Sequence, residues 1–392
     1  MNNLPPFTLE QYLLQHEHKA ELSLCSSGLD SLTLRELLAF GDSETLTLWE
    51  KQTLGYSDPQ GAPRLRDEIG RLYASLPARS LGLFSGAAEA IFCGLSALLT
   101  PQDHAIIITP CYQSLKSVPA SICGITEIPL QMREQTWELD IRSIEQAIQP
   151  HTRVLVMNFP NNPTGALPSD TLRQALIALA RAHDLYIFSD EVYRGLELAD
   201  TPQWPPMVDA YEKGISVGSL SKLFAMPGVR CGWLACRDQS ILEKAVGFKH
   251  YTTICNNGPG EILALMALRA HAEIIPRNRS VLAPRFVLMH QFLERHPAVF
   301  DWVAPQGGCL VFPRLILQGD SSGIAERFAL DLLAAEKVLV LAGQLYDFPG
   351  EFLRLSYASK TLPQALERLE RFIRQHHKSV FQNASQPPPS VL

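Results

Sequence analysis

The chain has 392 residues, 46% apolar and 19% charged, with a formal net charge of -6. That size and composition fit a globular protein of two domains, or one large domain with a smaller lobe, and exclude general disorder. The acidic balance leaves no basic footprint for nucleic acid or for an anionic membrane surface.

From the N-terminus, Met1-Asn2-Asn3-Leu4-Pro5-Pro6 offers neither the basic nor the apolar region of a secretion leader. No apolar run reaches membrane-spanning length, and Glu336 and Lys337 interrupt the nearest, residues 331–341. A cytoplasmic location is expected. The eight cysteines are scattered, with no CxxC pair and no zinc-like spacing, and read as reduced, small core residues.

Apolar runs at 105–108, 154–157, 185–188, 215–217 and 232–235 predict buried parallel strands. A helical pattern at 171–183 follows Pro168-Ser169-Asp170, where Ser169 or Asp170 suits the cap. Strand and helix alternate, so this part of the chain predicts an α/β unit with a mostly parallel sheet. Further on, the pattern predicts a long helix at 281–298, short strands near 310–312 and 352–355, and helices at 323–336 and 362–375. That mixture suits a smaller α+β lobe, followed by a flexible tail from His376 to Leu392.

In open parallel sheets, ligands bind beyond the carboxyl ends of strands. Five clusters fall at such ends or at a helix start. Ser85-Gly86-Ala87-Ala88-Glu89-Ala90-Ile91 opens a helix with small residues, which let an anion approach the backbone N–H groups. Read alone, it is first of all a plain helix start with small residues. Asn158-Phe159-Pro160-Asn161-Asn162-Pro163-Thr164-Gly165 makes a rigid turn after a strand and presents the neutral amide of Asn162. Ser189-Asp190-Glu191-Val192-Tyr193 brings a carboxylate to a strand end, where it can pair with a protonated ring nitrogen or stay a solvated loop acid. Ser219-Leu220-Ser221-Lys222 places a lysine in a small-residue turn that suits a Schiff-base nucleophile, the alternative being a lone surface lysine, and Arg230 follows with a fork for phosphate. Arg354 sits within Phe352-Leu353-Arg354-Leu355-Ser356, where burial demands an anion, either a substrate carboxylate or a structural partner. Together these residues describe one site with two anion clamps, a ring-nitrogen carboxylate and a lysine nucleophile.

On these strings the sequence resembles the class I/II aminotransferases, pyridoxal 5′-phosphate (PLP) enzymes of the aspartate aminotransferase fold, fold type I. The resemblance runs from about Tyr56 to Ser356. It is strongest in the motif at 158–165 and in Ser219-Leu220-Ser221-Lys222-Leu223-Phe224-Ala225-Met226-Pro227-Gly228-Val229-Arg230-Cys231-Gly232. Tyr56, Gly61, Leu65-Arg66, Pro110-Cys111-Tyr112 and Pro305-Gln306-Gly307-Gly308 support it. It implies an N-terminal segment (1–45) packing with the small domain, a large PLP-binding domain (46–285), a small C-terminal domain (286–375) and a tail (376–392). Lys222 would carry PLP as a Schiff base and shuttle the proton. Asp190 would bond the pyridinium nitrogen, Tyr193 the ring hydroxyl with Asn162 beside it, and Tyr112 would stack on the ring. Ala87, Ala88, Ser219 and Arg230 would bind the phosphate, helped by Tyr56 from the other subunit of a homodimer with shared sites. Arg354, with Asn162 and Gly28 nearby, would hold the substrate.

The reaction implied is transfer of an amino group between an α-amino acid and a 2-oxo acid. The same residues also serve the alternative, a PLP-dependent lyase or cyclase (elimination, replacement or cyclisation). A weaker resemblance to the capreomycidine-synthase branch lies in Tyr112-Gln113-Ser114 and Ser26-Ser27-Gly28. The sequence departs from the family at Ala87-Ala88, where a hydroxyl residue is common, and at Ala342-Gly343, where Pro-Gly is usual. Ser26-Ser27-Gly28 also lacks the usual Gly-x-Pro look. No second arginine is placed to meet a dicarboxylate.

Overall fold

The structure is a computed structural model. It describes residues 4–74, 76–134, 136–198, 201–316 and 323–382, with residues 376–382 described by backbone alone. The principal elements are α1 (Thr8–His16), β1 (Leu81–Phe84), α2 (Ala87–Leu98), β2 (His104–Thr109), β3 (Gly124–Pro129), β4 (Thr152–Asn158), α3 (Asp170–Ala182), β5 (Tyr186–Asp190), β6 (Gly214–Ser219), β7 (Gly232–Cys236), α4 (His271–Glu294), β8 (Leu353–Ser356) and α5 (Leu362–Gln382).

Seven strands form the central sheet in the order β1-β7-β6-β5-β4-β2-β3. Every residue of β2, β5 and β6 is buried, because helices cover both faces, and this explains their unbroken apolar runs. Two strands escaped the sequence pattern. β1 is four residues with a central glycine, and β3 is an edge strand in which only Ile128 is buried.

One expectation is corrected: β7 is antiparallel to both neighbours, while the other six strands run together. A parallel return needs a crossover, usually a helix, and residues 220–231 hold only a short 3-10 turn at Pro227–Val229. The reversal pairs Gly232 with both Ser219 and Phe84. The ends of β1 and β6 and the start of β7 therefore meet at one edge of the sheet.

α3 begins where the cap signal placed it, with Ser169 Oγ accepting from the Leu172 N–H at 3.2 Å; such a cap contributes about 1 kcal/mol. The long helix differs from its predicted span. α4 starts ten residues earlier than expected and ends at Glu294, running through Pro276 and Pro284. Buried Ile274, Leu282, Met289, Phe292 and Leu293 hold it against the core, and tertiary packing overrides the proline signal. The expected tail is also corrected: residues 376–382 continue α5, and the rest of that expectation, 383–392, lies outside the described residues.

The smaller lobe carries an antiparallel three-stranded sheet, with β8 between Leu310–Val311 and Leu341–Ala342. Leu22–Ser23 pairs in parallel with Val338–Leu339, and the Ser356 N–H donates to the Leu24 carbonyl at 2.7 Å. These bonds fix the chain that enters the site at Cys25-Ser26-Ser27-Gly28.

Candidate active site

A cavity of about 470 Å³ opens beyond the carboxyl ends of β4, β5 and β6, a size suited to a small ligand. Its lining includes Ala87, Ala88, Tyr112, Asn162, Asp190, Tyr193, Ser219, Lys222, Arg230 and Arg354. Gly28 stands beside it, where an added Cβ would lie 3.6 Å from Lys222 Cδ. Of the cofactor and substrate residues expected from the sequence, Tyr56 is the one away from this chain's cavity, and it is 89% exposed on the surface.

The anion cradle is built by packing as well as by residue type. Gly86 caps α2 at φ 87° and supplies no side-chain cap, so the first N–H groups of the helix are left for a ligand. A Cβ at Gly86 would sit 2.5 Å from Arg230 Nη2, so only glycine lets that guanidinium approach the helix start. Arg230 adopts a left-handed conformation at φ 53° and donates to the Pro227 and Ser85 carbonyls at 3.0 and 3.2 Å. The antiparallel β7 delivers it there. A helix N-terminus joined to an arginine suits a phosphate.

The Asn-rich turn is held by its own amides. Asn161 Nδ2 donates to the Pro110 carbonyl at 3.0 Å, and Asn158 Oδ1 accepts from the Asn162 N–H at 2.8 Å. Asn162 is thereby left free to face the cavity. Its Oδ1 accepts from Tyr346 Oη at 3.0 Å and from Arg354 Nη1 at 3.3 Å.

Asp190 is 4% exposed at the end of β5. Burial pushes its carboxyl up to about 6, opposed by a bond from the Val192 N–H and by the charge of Lys222. Lys222 is pulled down from the ordinary lysine range, chiefly by burial. Its Nζ donates to Ser27 Oγ at 2.6 Å, and Tyr193 Oη donates to the Ser27 carbonyl at 2.6 Å.

Arg354 is 3% exposed within β8. Its donors reach Asn162, Tyr346 and the Cys25 carbonyl, all neutral, and its Nε has no partner. Among the described residues no carboxylate pairs with it. A buried guanidinium without an acid marks a place for an anionic ligand.

These features fit PLP: a phosphate cradle, a buried carboxylate for a ring nitrogen, and a desolvated lysine. Three residues that bond Lys222 or Arg354 were missed in the sequence. Ser27 adjoins Gly28 in a stretch of small residues that carries no distinctive signal. Tyr346 ends a short 3-10 turn, Gly343–Tyr346, that carries no sequence signal. Cys25 contributes through a backbone carbonyl, which sequence cannot show.

Comparison with known proteins agrees with the geometry. The family model "Aminotransferase class I and II" matches residues 23–372. The chain is 31% identical to alanine aminotransferase of Mycobacterium tuberculosis over 338 residues, 81% of this chain and 78% of that protein. It is 29% identical to capreomycidine synthase of Streptomyces vinaceus over 347 residues, 88% of this chain and 87% of that one. A crystal structure of a PLP-dependent aminotransferase from Streptococcus suis superposes with a TM-score of 0.87 at 31% identity, covering 95% of this chain and 98% of the other. The fold, the cavity and these likenesses together make the chain a member of the class I and II aminotransferases, a PLP-dependent enzyme that moves amino groups between amino acids and 2-oxo acids.

Proposed function

We propose that Lys222 is the lysine to which PLP is attached, and that Arg354 receives the α-carboxylate of the amino-acid substrate. One observation carries the reading: a desolvated lysine, a buried carboxylate and an acid-free buried arginine share a single cavity. Ala87, Ala88, Ser219 and Arg230 would hold the phosphate, Asp190 the protonated ring nitrogen, Tyr193 and Asn162 the ring hydroxyl side, and Tyr112 the ring face. When bound, PLP supplies an electron sink for the pair left at the substrate Cα. Asp190 keeps that sink effective by holding a positive ring nitrogen. Lys222 Nζ, once free, would move the proton between the substrate Cα and the cofactor carbon that carried the aldehyde. Ser27 Oγ, within hydrogen-bond distance of that amine, holds it in place.

Several wider readings accompany this one. Leu54, Tyr56 and Tyr251 are 86%, 89% and 91% exposed. Ser57 Oγ donates to the Asn256 carbonyl at 2.8 Å, which ties their two segments together. This apolar surface supports a homodimer in which Tyr56 serves the partner's phosphate site. The division into residues 1–45, 46–285 and 286–375 remains our domain reading. Eight free cysteines suit the reducing cytoplasm, and among the described residues no helix is long and apolar enough to cross a membrane.

The test is borohydride reduction of the PLP-loaded protein, followed by peptide mapping and product analysis with a panel of amino donors. Label on the Lys222 peptide and 2-oxo acid products are expected. Label on another lysine would overturn the site. Release of ammonia or a cyclised amino acid would favour the lyase or cyclase reading.

A further inference from the structure

One wall of the cavity has no task in the reaction just described. α1 and the turn after it bring Leu9, Glu10, Leu13 and Glu17 to the lining. Glu10 and Leu13 are three residues apart on α1 and share one face, and Glu17 follows directly after the helix's last residue, His16. The helix is anchored over the site: Gln113 Oε1 accepts from the Thr8 N–H at 2.9 Å, and the Phe7 and Tyr112 rings pack with centroids 5.2 Å apart. Glu10 Oε1 accepts from Tyr112 Oη at 3.3 Å.

The charges that line the cavity decide what this wall would accept. Its arginines and lysines are Lys222, Arg230 and Arg354, and each is assigned to the cofactor or to the α-carboxylate. Asp190 is likewise assigned to the ring nitrogen. What is left is Glu10 and Glu17, with no cation to meet a second carboxylate. A separate observation fixes the other end of the ligand: Arg354 is buried, with an unpartnered Nε, in the lining of the same cavity. Cys25, whose carbonyl accepts from Arg354, lines the same cavity as Glu17. An amino acid held by its α-carboxylate at Arg354 would thus extend its side chain along a path bordered by leucines and carboxylates.

We propose that this wall is the side-chain subsite, and that it selects a cationic amino acid of the lysine, ornithine or arginine type. The methylenes lie on Leu9 and Leu13, and the charged end meets Glu10 and Glu17 at the mouth. The inference rests on the proposed role of Arg354. Both glutamates are exposed, so water and salt weaken each contact, and discrimination is modest compared with a buried pair.

The test compares arginine with citrulline, its neutral near-isostere, using the PLP-loaded enzyme. Arginine should be favoured in kcat/KM by about tenfold at low salt, the sum of two partly screened pairs. The difference should lie in KM and shrink as salt is added. Calorimetric binding of the α-methyl forms, which have no Cα proton to lose, should show the same preference without turnover. The double variant Glu10→Gln, Glu17→Gln should bring the ratio to within about twofold of one. A wild-type ratio already near one, a preference for dicarboxylic amino acids, or a preference that survives the double substitution would overturn the subsite. If no α-amino acid binds or reacts, the role of Arg354 falls with it, so the two failures are distinguishable.

Discussion

Replacing Arg354 by alanine tests whether the substrate is an α-amino acid. The guanidinium is 3% exposed, bonds only neutral acceptors and leaves Nε unpartnered. Its removal therefore strands no buried negative charge, and the open cavity lets water reach the freed acceptors. The fold and the PLP content should survive. What is lost is a desolvated, charge-assisted contact to the carboxylate, worth about 2–5 kcal/mol. At tenfold per 1.4 kcal/mol, kcat/KM should fall by about 30-fold or more. Arg354→Lys should recover little, since an ammonium cannot reproduce the planar fork. The assay compares an amino acid with its decarboxylated amine, each in wild type and variant, with cofactor content measured by absorbance. Only the amino acid should suffer. Equal impairment of both would show that Arg354 is structural and would remove the main support for an α-amino-acid substrate.

Asp190→Ala should still bind some PLP but lose orders of magnitude in turnover, because the ring nitrogen loses its counter-charge; near-wild-type rates would refute the assignment. The same group predicts a pH effect. Burial raises the Asp190 carboxyl to about 6, so in cofactor-free protein its contribution to stability is full below the ordinary aspartate range and is lost as pH rises past about 6. The melting temperature of cofactor-free Asp190→Asn should accordingly vary less between about pH 4 and 7 than that of cofactor-free wild type, and parallel curves would contradict it. Ser27→Ala should lower kcat more than it changes KM and should shift the pH profile of kcat, as expected for a residue that holds the Lys222 amine; an unchanged profile would leave Ser27 a packing residue. Inactive Tyr56 and Lys222 variants, mixed and reassembled, should recover partial activity if sites are shared, whereas verified heterodimers without recovery would count against sharing.

Much of the site is readable because its chemistry is local. Asn158 to Gly165 holds its own shape through side-chain amides bonded within and beside the turn, Asp190 ends a buried strand, and Lys222 stands three residues beyond the end of another. Strand-end position and residue type suffice to nominate such groups. The five apolar runs were legible for a related reason, since burial on both faces leaves little choice of side chain.

Other features depend on contacts between distant parts of the chain, and these no local pattern encodes. The direction of β7 follows from its pairing with both Ser219 and Phe84, and that pairing alone brings Arg230 against Gly86. α4 passes through two prolines because its buried face outweighs their local cost. Ser27 meets Lys222 across 195 positions, and Cys25 meets Arg354 across 329. The sequence by itself determined the lysine, the acid, the arginines and the strands that carry them. Only the tertiary structure decided that Arg354 has no acid beside it among the described residues and that Glu10 and Glu17 line the same cavity, because burial and partnership are properties of the packed chain.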